Sequence, residues 1–362
     1  MGDTRKCPRS SCFAKGNPMK YAAIRAAFEL LWLSRLPALS RALSRSRGVI
    51  FTLHRVLPED PPAFSPNAIL QIRPDFLDYV IERVRDLGID IVTLDEALER
   101  LAAPHEGSPF VVLTFDDAYR DNLQYALPIL LRHEAPFTLY VPTALVDGVG
   151  EIWWQAIEDI IARQEAVAFT ENDEIEYVDT ATTARKKEAF NRLYWHLRKL
   201  PELQRRAVLA EFCGNYGYDL EKQCRDLIMS WQELRLFAGE RLCTIGAHTV
   251  HHYELAKLSE DEARQEMLQS VDVIQAQFGI RPEHFSYPLG GPLSCGPREF
   301  ALARDLGFKT AVTTRPGGLY PHHLQSLTAL PRVSLNGYFQ SERYVDVFAS
   351  GGIFTVLGKL MG

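Results

Sequence analysis

The chain has 362 residues, of which 46% are hydrophobic and 24% are charged, and its formal net charge is −6. This composition is typical of a globular protein with a large core, and it gives no general signal for nucleic-acid binding. The charge is unevenly distributed, because residues 1–47 carry ten basic and two acidic side chains.

The basic N-terminal segment has two parts. Residues 1–18 are rich in Pro, Ser, Gly and Lys, which predicts a disordered basic tail. Residues 19–47 predict a basic amphipathic helix, since the apolar run from Ala22 is interrupted by charges such as Arg25 and Glu29. These interruptions argue against a membrane span and against a signal peptide. We expect this helix either to contact an anionic membrane surface peripherally or to pack on the flank of the domain.

The six cysteines show neither a C-x-x-C pair nor the dense spacing of a disulfide framework. They are Cys7, Cys12, Cys213, Cys224, Cys243 and Cys295. We expect free thiols in a cytoplasmic protein, with peripheral contact at the inner membrane surface as an extension of that expectation. Because the count is even, a secreted protein with a few disulfides is the alternative.

From residue 48 onward, apolar runs alternate with helical patterns. The β-branched and aromatic runs predict strands at residues 48–56, 91–94, 109–115, 136–142, 243–248, 284–288 and 308–314. Helical spacing predicts helices at residues 74–90, 94–103, 122–135, 259–279 and 297–307, the second opened by Asp95. The alternation indicates parallel βα units. A barrel is favoured over an open sheet, because no Gly-rich phosphate loop follows the first strand.

Residues of about 150–235 break this alternation. "IWWQAIEDIIARQ" and "KKEAFNRLYWHLRKLPELQRRAVLAEFCG" have helical patterns, and the acidic stretch "TENDEIEYVDT" is expected to join them. We therefore predict an α/β fold, a distorted and incomplete (β/α) barrel spanning residues 48–345, with a helical insertion. An insertion of this length suggests a lid or a substrate wall. Residues 346–362 are expected to form a C-terminal extension.

Two adjacent aspartates end one of the predicted strands, in "VVLTFDDAYRDN" (residues 111–122). In a parallel barrel the catalytic groups lie at the carboxyl ends of the strands, and side chains there leave on different sides. Asp116 and Asp117 therefore suit a pair in which one carboxylate reaches a metal and the other faces a water. The alternative is that one of them caps the next helix.

Three histidines follow another predicted strand, in "GAHTVHHYEL" (residues 246–255). His248 and His252 are four residues apart, a spacing that places both imidazoles on one face of a helical turn. The pair of His248 and His251 is the alternative. Two imidazoles and one carboxylate form a three-ligand site with an open position for water, which is typical of a catalytic metal.

These motifs resemble those of the polysaccharide deacetylases, carbohydrate esterase family 4, which share the NodB-homology domain. "TFDDAYRDN" is similar to the first motif of that family, and "HTVHHYEL" is similar to its H-[ST]-x-x-H motif. "FSYPLGG" resembles its proline-glycine loop, and "GFKTAVTTRPG" and "LPRVSL" resemble its closing strands. The resemblance covers residues of about 48–340 without the insertion. It implies a distorted, incomplete (β/α) barrel.

The resemblance also implies roles for residues at the matching positions. Asp117, His248 and His252 are implied to hold a divalent metal, with zinc favoured and cobalt, nickel or manganese as alternatives. Asp116 is implied to be the general base that takes a proton from the water attacking an acetamide carbonyl. A backbone N–H near Leu289 is implied to stabilise the oxyanion.

The sequence departs from the family pattern in the proline-glycine loop, where Ser286 stands at the position of an arginine that orients the base. We expect Arg332 in "LPRVSL" to supply that positive charge from another strand, with a structural arginine as the alternative. His54 in "FTLHRV" resembles a histidine found in one branch of the family. It is expected to be a general acid or a substrate contact, or else a buried structural histidine. Tyr119 and Tyr287, together with Leu289, are expected to be substrate-binding residues.

The implied activity is removal of N-acetyl groups from an N-acetylated sugar, in an oligosaccharide, a polysaccharide or a glycan precursor, with release of acetate. A hydrolase of another small or cyclic amide on the same scaffold is one alternative, and a non-catalytic glycan-binding relative is another. Trp153 and Trp154 are expected either to stack on sugar rings or to belong to the core.

Overall fold

The structure, a computed structural model, describes residues 46–351 except 105, 106, 172 and 173, together with residues 25, 26, 28, 29 and 33. The predicted disordered tail, most of the predicted N-terminal helix and residues 352–362 of the C-terminal extension lie outside the described residues.

The strands of the described chain are β1 (Gly48–Leu53), β2 (Arg55–Val56), β3 (Gln71–Ile72), β4 (Asp90–Ile91), β5 (Phe110–Phe115), β6 (Phe137–Val141), β7 (Ala166–Glu171), β8 (Glu174–Asp179), β9 (Cys243–Ala247), β10 (His284–Ser286), β11 (Thr310–Val312) and β12 (Val333–Ser334). The α-helices are α1 (Pro74–Asp86), α2 (Leu94–Ala102), α3 (Leu127–Arg132), α4 (Thr143–Val146), α5 (Trp153–Arg163), α6 (Thr183–Lys199), α7 (Glu202–Asn215), α8 (Leu220–Leu227), α9 (Trp231–Ala238), α10 (Glu260–Phe278), α11 (Pro297–Asp305) and α12 (Glu342–Ala349). A turn of π-helix, Asn122–Ala126, precedes α3, and short 3₁₀ helices cover Pro66–Leu70, Leu255–Lys257, Pro321–Gln325 and Leu327–Ala329.

The strands of the main sheet are parallel and curl into a distorted, incomplete barrel, as the sequence predicted. Their order is β11-β10-β9-β6-β5-β1-β12, and β4 pairs with the first residues of β5. A backbone bridge from Val312 to Leu330 brings the chain that leads into β12 against β11. Because the strands are parallel, their carboxyl ends meet at one rim, where the side chains of interest collect.

The predicted elements of the barrel follow from buried apolar runs and capping residues. Every residue of β1 and β5 is buried, which explains why these strands read as continuous apolar segments. Helix α10 begins with a capping box at Ser259 and ends before Gly279, whose φ of 72° suits glycine. Helix α2 is capped by Thr93 rather than opened by Asp95, because the Thr93 side chain accepts the N–H of Glu96.

The insertion between β6 and β9 is not purely helical. The acidic stretch expected to be a joining segment contains β8, which pairs antiparallel with β7 to form a hairpin. The second helical pattern divides into α6 and α7, because Leu200 precedes Pro201 and adopts the extended conformation that residues before proline prefer.

The described residues 25, 26, 28, 29 and 33 of the N-terminal segment are helical, and Phe28 packs on the flank of the domain. Phe28 is buried, and its ring centroid lies 5.3 Å from those of Phe339 and Tyr344 and 5.6 Å from that of Phe348. Among the described residues, no helix has the length and apolar character needed to cross a membrane. Four cysteines fall in the described chain, and each of them is free.

Candidate active site

The rim of the barrel has an unusual backbone. Six non-glycine residues of the described chain have a positive φ: Asp117, Ala118, Glu134, Thr249, His252 and Leu289. All of these except Glu134 lie in the loops that follow β5, β9 and β10. Each such conformation costs about 1–3 kcal/mol and persists where the surrounding structure enforces it, often at functional sites. The strain therefore marks these three loops as a candidate site.

Asp117, His248 and His252 converge at the rim. Asp117 Oδ1 lies 3.5 Å from His248 Nε2 and 3.3 Å from His252 Nε2, and all three side chains are buried. His248 Nδ1 lies 2.6 Å from the carbonyl oxygen of Ser286. A carbonyl accepts hydrogen bonds, so Nδ1 carries the proton and Nε2 keeps its lone pair for a ligand.

The chemistry of these three side chains fits a divalent metal. Asp117 Oδ1 is buried without a hydrogen-bond partner, an arrangement that is costly unless a cation satisfies the oxygen. Burial lowers the pKa of His252 to about 3, so its imidazole is neutral at physiological pH, as a metal ligand must be. The alternative ligand His251 is directed elsewhere, because its Nδ1 pairs with Glu266 Oε1 at 2.6 Å.

Asp116 is held by Arg332, which directly precedes β12. Arg332 Nη1 and Nη2 donate to Asp116 Oδ1 and Oδ2 at 2.8 and 2.7 Å, and Nη2 also donates to Ser286 Oγ at 3.0 Å. Burial raises the pKa of Asp116, but the Arg332 guanidinium outweighs it and holds the pKa well below the usual range. The structure therefore places Arg332 where the missing arginine charge was expected.

His54 lies beside the same carboxylate, with its Nε2 4.0 Å from Asp116 Oδ2. The last residues of "TFDDAYRDN" hold its backbone in place. Asn122 Nδ2 donates to the His54 carbonyl at 2.8 Å, and Asp121 Oδ1 accepts the N–H of Val56 at 2.9 Å. The His54 side chain is 20% exposed, so it remains accessible from the cavity that it lines.

A cavity of about 680 Å³ opens over these residues. Its floor is formed by His54, Asp116, Asp117, His248, His252 and Leu289. One wall is formed by residues of the segment 62–70 together with Tyr338. The insertion adds Trp153, Trp154 and side chains of α6 to the lining. The three candidate metal ligands thus lie in a cavity whose walls are rich in aromatic rings.

Of the three residues expected to bind substrate, Leu289 lines the cavity and the two tyrosines do not. Tyr119 is buried behind the wall, where its hydroxyl accepts a hydrogen bond from Trp154 Nε1 at 3.1 Å. Tyr287 is buried and donates to the carbonyl oxygen of Thr328 at 2.8 Å. Both tyrosines pack and support the site, because the strand end and the loop turn their side chains away from the cavity.

The sequence suggested that the insertion forms a lid or a substrate wall but did not identify the residues of α6 that line the cavity, which are Lys187, Phe190, Asn191, Tyr194 and Trp195. Their spacing of three, four, seven and eight residues is that of one helix face, and this signal was present in the sequence. Trp153 and Trp154 are largely buried, as core residues are, and they also border the cavity, so stacking on sugar rings stays a prediction. The Trp154 ring lies 5.1 Å from the ring of His252.

Comparison with known proteins gives a family match and several similar folds. The sequence matches the family described as "Polysaccharide deacetylase" over residues 104–311. It matches none of the curated proteins with which it was compared. The structure resembles the Streptococcus pyogenes deacetylase PplD in complex with acetate, with a TM-score of 0.56, 18% identity, and coverage of 84% of this chain and 99% of that one. It also resembles IcaB from Ammonifex degensii, with a TM-score of 0.51, 19% identity, and coverage of 83% of this chain and 98% of that one. At these identities the two structures establish a shared fold.

Proposed function

The chain belongs to the polysaccharide deacetylase family, and from that premise we propose that it is a metal-dependent hydrolase that removes the N-acetyl group of an N-acetylated sugar and releases acetate. The proposal rests on the different surroundings of two adjacent carboxylates. Asp117 faces two imidazoles, whereas Asp116 is ionised beside Arg332, and both open into one cavity.

Asp117, His248 and His252 would hold the metal, with zinc favoured by the set of two imidazoles and one carboxylate and with cobalt, nickel or manganese as alternatives. When bound, such a metal polarises a carbonyl and lowers the pKa of a water to near 7.

The other residues of the floor provide proton transfer and charge stabilisation. Asp116 accepts the proton of the attacking water, and because Arg332 holds its pKa well below the usual range, it is in the ionised form that can accept one across the physiological range. The backbone N–H of Leu289, a residue that lines the cavity, is assigned to stabilise the oxygen that becomes negatively charged. His54, next to Asp116, is positioned to return a proton to the leaving amine.

The lining of the cavity favours a glycan over a small cyclic amide. Its volume of about 680 Å³ is that of an ordinary ligand pocket, and the rings of Trp153, Trp154 and α6 offer aromatic faces on which sugar rings pack. A purely binding role is less well supported, because a binding module does not need an ionised carboxylate beside its metal ligands.

The test is acetate release from short oligomers of N-acetylglucosamine by protein that has been stripped of metal and reloaded with zinc. We expect release by the loaded protein, loss after stripping, and a decrease of about 10²–10⁴-fold for Asp116→Asn with metal still bound. Metal content is measured for every sample. If the loaded protein releases no acetate from any oligomer, the proposed reaction is wrong.

Neighbouring histidines provide a matched control for the metal site. His252→Gln should lose the metal, whereas His251→Gln should retain it, because His251 pairs with Glu266 outside the cluster. Equal metal content in the two variants would contradict the assignment of the ligands.

A further inference from the structure

We propose that α6 forms a second sugar subsite beside the metal-binding residues, so that the preferred substrate spans at least two linked sugar rings. This inference rests on the proposed deacetylase function and adds the size of the substrate to it.

The subsite is one continuous face of α6. Lys187, Phe190, Asn191, Tyr194 and Trp195 all line the cavity, and their spacing places them in a single stripe along the helix. The stripe alternates aromatic rings with polar groups. A pyranose ring has the same dual character, since its C–H face packs on aromatic rings while its hydroxyls need hydrogen-bond partners.

An aromatic surface connects this stripe with the metal ligands. The Trp154 ring lies 5.1 Å from that of His252 and 5.7 Å from that of Trp153. The Trp153 ring is in turn 5.0 Å from that of Tyr194, and Tyr194 contacts Trp195 at 5.4 Å. A sugar bound with its acetamide at the metal-binding residues would therefore have its linked neighbour along the rings of α6.

Arg198 holds these rings from behind. Its guanidinium carbon lies 5.9 Å from the Tyr194 ring centroid and 5.7 Å from the Trp195 ring centroid, within the range of cation–π interactions. The same guanidinium is ion-paired with Glu254 at 2.9 Å, two residues beyond the ligand His252. Glu202, at the start of α7, accepts the backbone N–H of Glu254 at 3.0 Å.

These contacts fix the subsite at a constant distance from the reacting group. Glu254 and Glu202 are both buried, and Glu254 is also paired with Lys257 at 2.6 Å. Separating α6 from the loop that carries His252 would leave these buried charges unpaired, which is costly. The contacts therefore favour a substrate wall over a mobile lid for α6.

The first experiment compares kcat/KM for acetate release from the monomer and from the β-linked dimer of N-acetylglucosamine. We expect the native protein to have a higher kcat/KM for the dimer than for the monomer. Trp195→Ala should reduce the ratio of these two kcat/KM values about tenfold, because an aromatic contact contributes up to about a factor of ten. Asn191→Ala, which leaves the aromatic packing intact, should reduce the ratio in the same direction. Glu188→Ala is the matched control, because Glu188 is exposed on α6 and does not line the cavity.

A native protein without preference for the dimer, or a Trp195→Ala variant with the native ratio, would overturn the subsite. Failure of the subsite proposal can be distinguished from failure of the proposed reaction, because binding of the dimer can be measured without any reaction. It is measured by calorimetry on the metal-loaded Asp116→Asn protein. Dimer binding that is about tenfold weaker after adding Trp195→Ala supports the subsite even where no acetate is released. Unchanged or absent dimer binding overturns it.

Discussion

Two adjacent carboxylates at one strand end would repel each other unless each had its own positive or polar partners. Asp116 is neutralised by Arg332, and Asp117 is directed at two imidazole nitrogens. The left-handed φ of 73° at Asp117 turns consecutive side chains towards different partners. The left-handed conformation at this residue therefore lets one strand end supply both the base and the metal ligand of the proposed reaction.

At the residue scale, Arg332→Met should change the pH dependence of the reaction. Without the guanidinium, Asp116 loses the largest of the effects that lower its pKa, so burial raises that pKa. Because the base works in its ionised form, a higher pKa moves the acidic limb of the kcat/KM profile to higher pH. The measurement is that profile for native and variant protein, each checked for full metal content.

The same variant has a predicted cost in stability. An unpaired buried charge destabilises a protein by about 3–5 kcal/mol, which denaturant unfolding of Arg332→Met should show. The double variant Asp116→Asn with Arg332→Met should recover part of that loss, because no buried charge is left alone. An acidic limb that does not move, together with additive losses in the double variant, would contradict the assigned pairing.

The motifs placed Asp116, Asp117, His248 and His252 from sequence because each set lies within one short segment at a strand end. Arg332 and Asp116 are 216 positions apart in the sequence. The local sequence pattern therefore suggested that an arginine supplies the positive charge, but it did not give the geometry of the ion pair. The orientations of the Tyr119 and Tyr287 side chains could not be predicted from the sequence. Whether a side chain beside a motif faces the cavity or the core depends on backbone angles that the letters do not specify.

At the element scale, the buried strands were predictable and the hairpin of the insertion was not. Strands β1 and β5 are buried on both faces and are therefore continuous apolar runs. Strand β8 is acidic and mostly exposed, and Ile175 and Tyr177 on it face solvent. Its stability comes from pairing with β7, a partner that composition does not reveal.

The loop after β10 supplies a prediction at the scale of a structural element, at Gly290. This residue has a φ of 55°, and a Cβ there would lie 2.6 Å from the backbone nitrogen of Thr314. Gly290→Ala should therefore displace the neighbouring N–H of Leu289. We expect kcat to fall by up to about 10²-fold with a smaller change in KM, since removing one oxyanion donor costs about 10²–10³-fold.

Gly291 is the matched control in the same loop. A Cβ at Gly291 would meet no atom nearer than 4.0 Å, so Gly291→Ala should retain close to native kcat. Equal kcat values for the two variants would show that the position of the Leu289 N–H has no role in the reaction.

At the scale of the whole molecule, the ends of the described chain meet on one flank. Phe28 of the N-terminal segment fills a cluster of rings from the end of the barrel and from α12, and Glu29 accepts a hydrogen bond from the Tyr344 hydroxyl at 3.0 Å. Arg25 Nε donates to the carbonyl oxygen of Tyr338, whose side chain lines the cavity. The amphipathic pattern of residues 19–47 left open whether the apolar side faced a membrane or the domain. For Phe28 the packing favours the domain.

This arrangement affects how peripheral membrane contact should be tested. Deleting residues 1–47 would remove the basic charge and also uncover the rings of Phe339, Tyr344 and Phe348, so a change in membrane partitioning would have two causes.

Point variants separate these two causes. Phe28→Ala should lower the free energy of unfolding by about 3–5 kcal/mol, the usual cost of removing a buried phenylalanine ring, as measured by denaturant unfolding. Leu33→Ala should change it little, because Leu33 is 66% exposed. In sedimentation with anionic vesicles, Leu33→Ala should reduce binding more than Phe28→Ala does. An exposed leucine beside basic residues can enter the membrane interface, whereas a buried ring cannot. If Phe28→Ala leaves stability unchanged but abolishes vesicle binding, the flank packing is wrong and the helix faces the membrane.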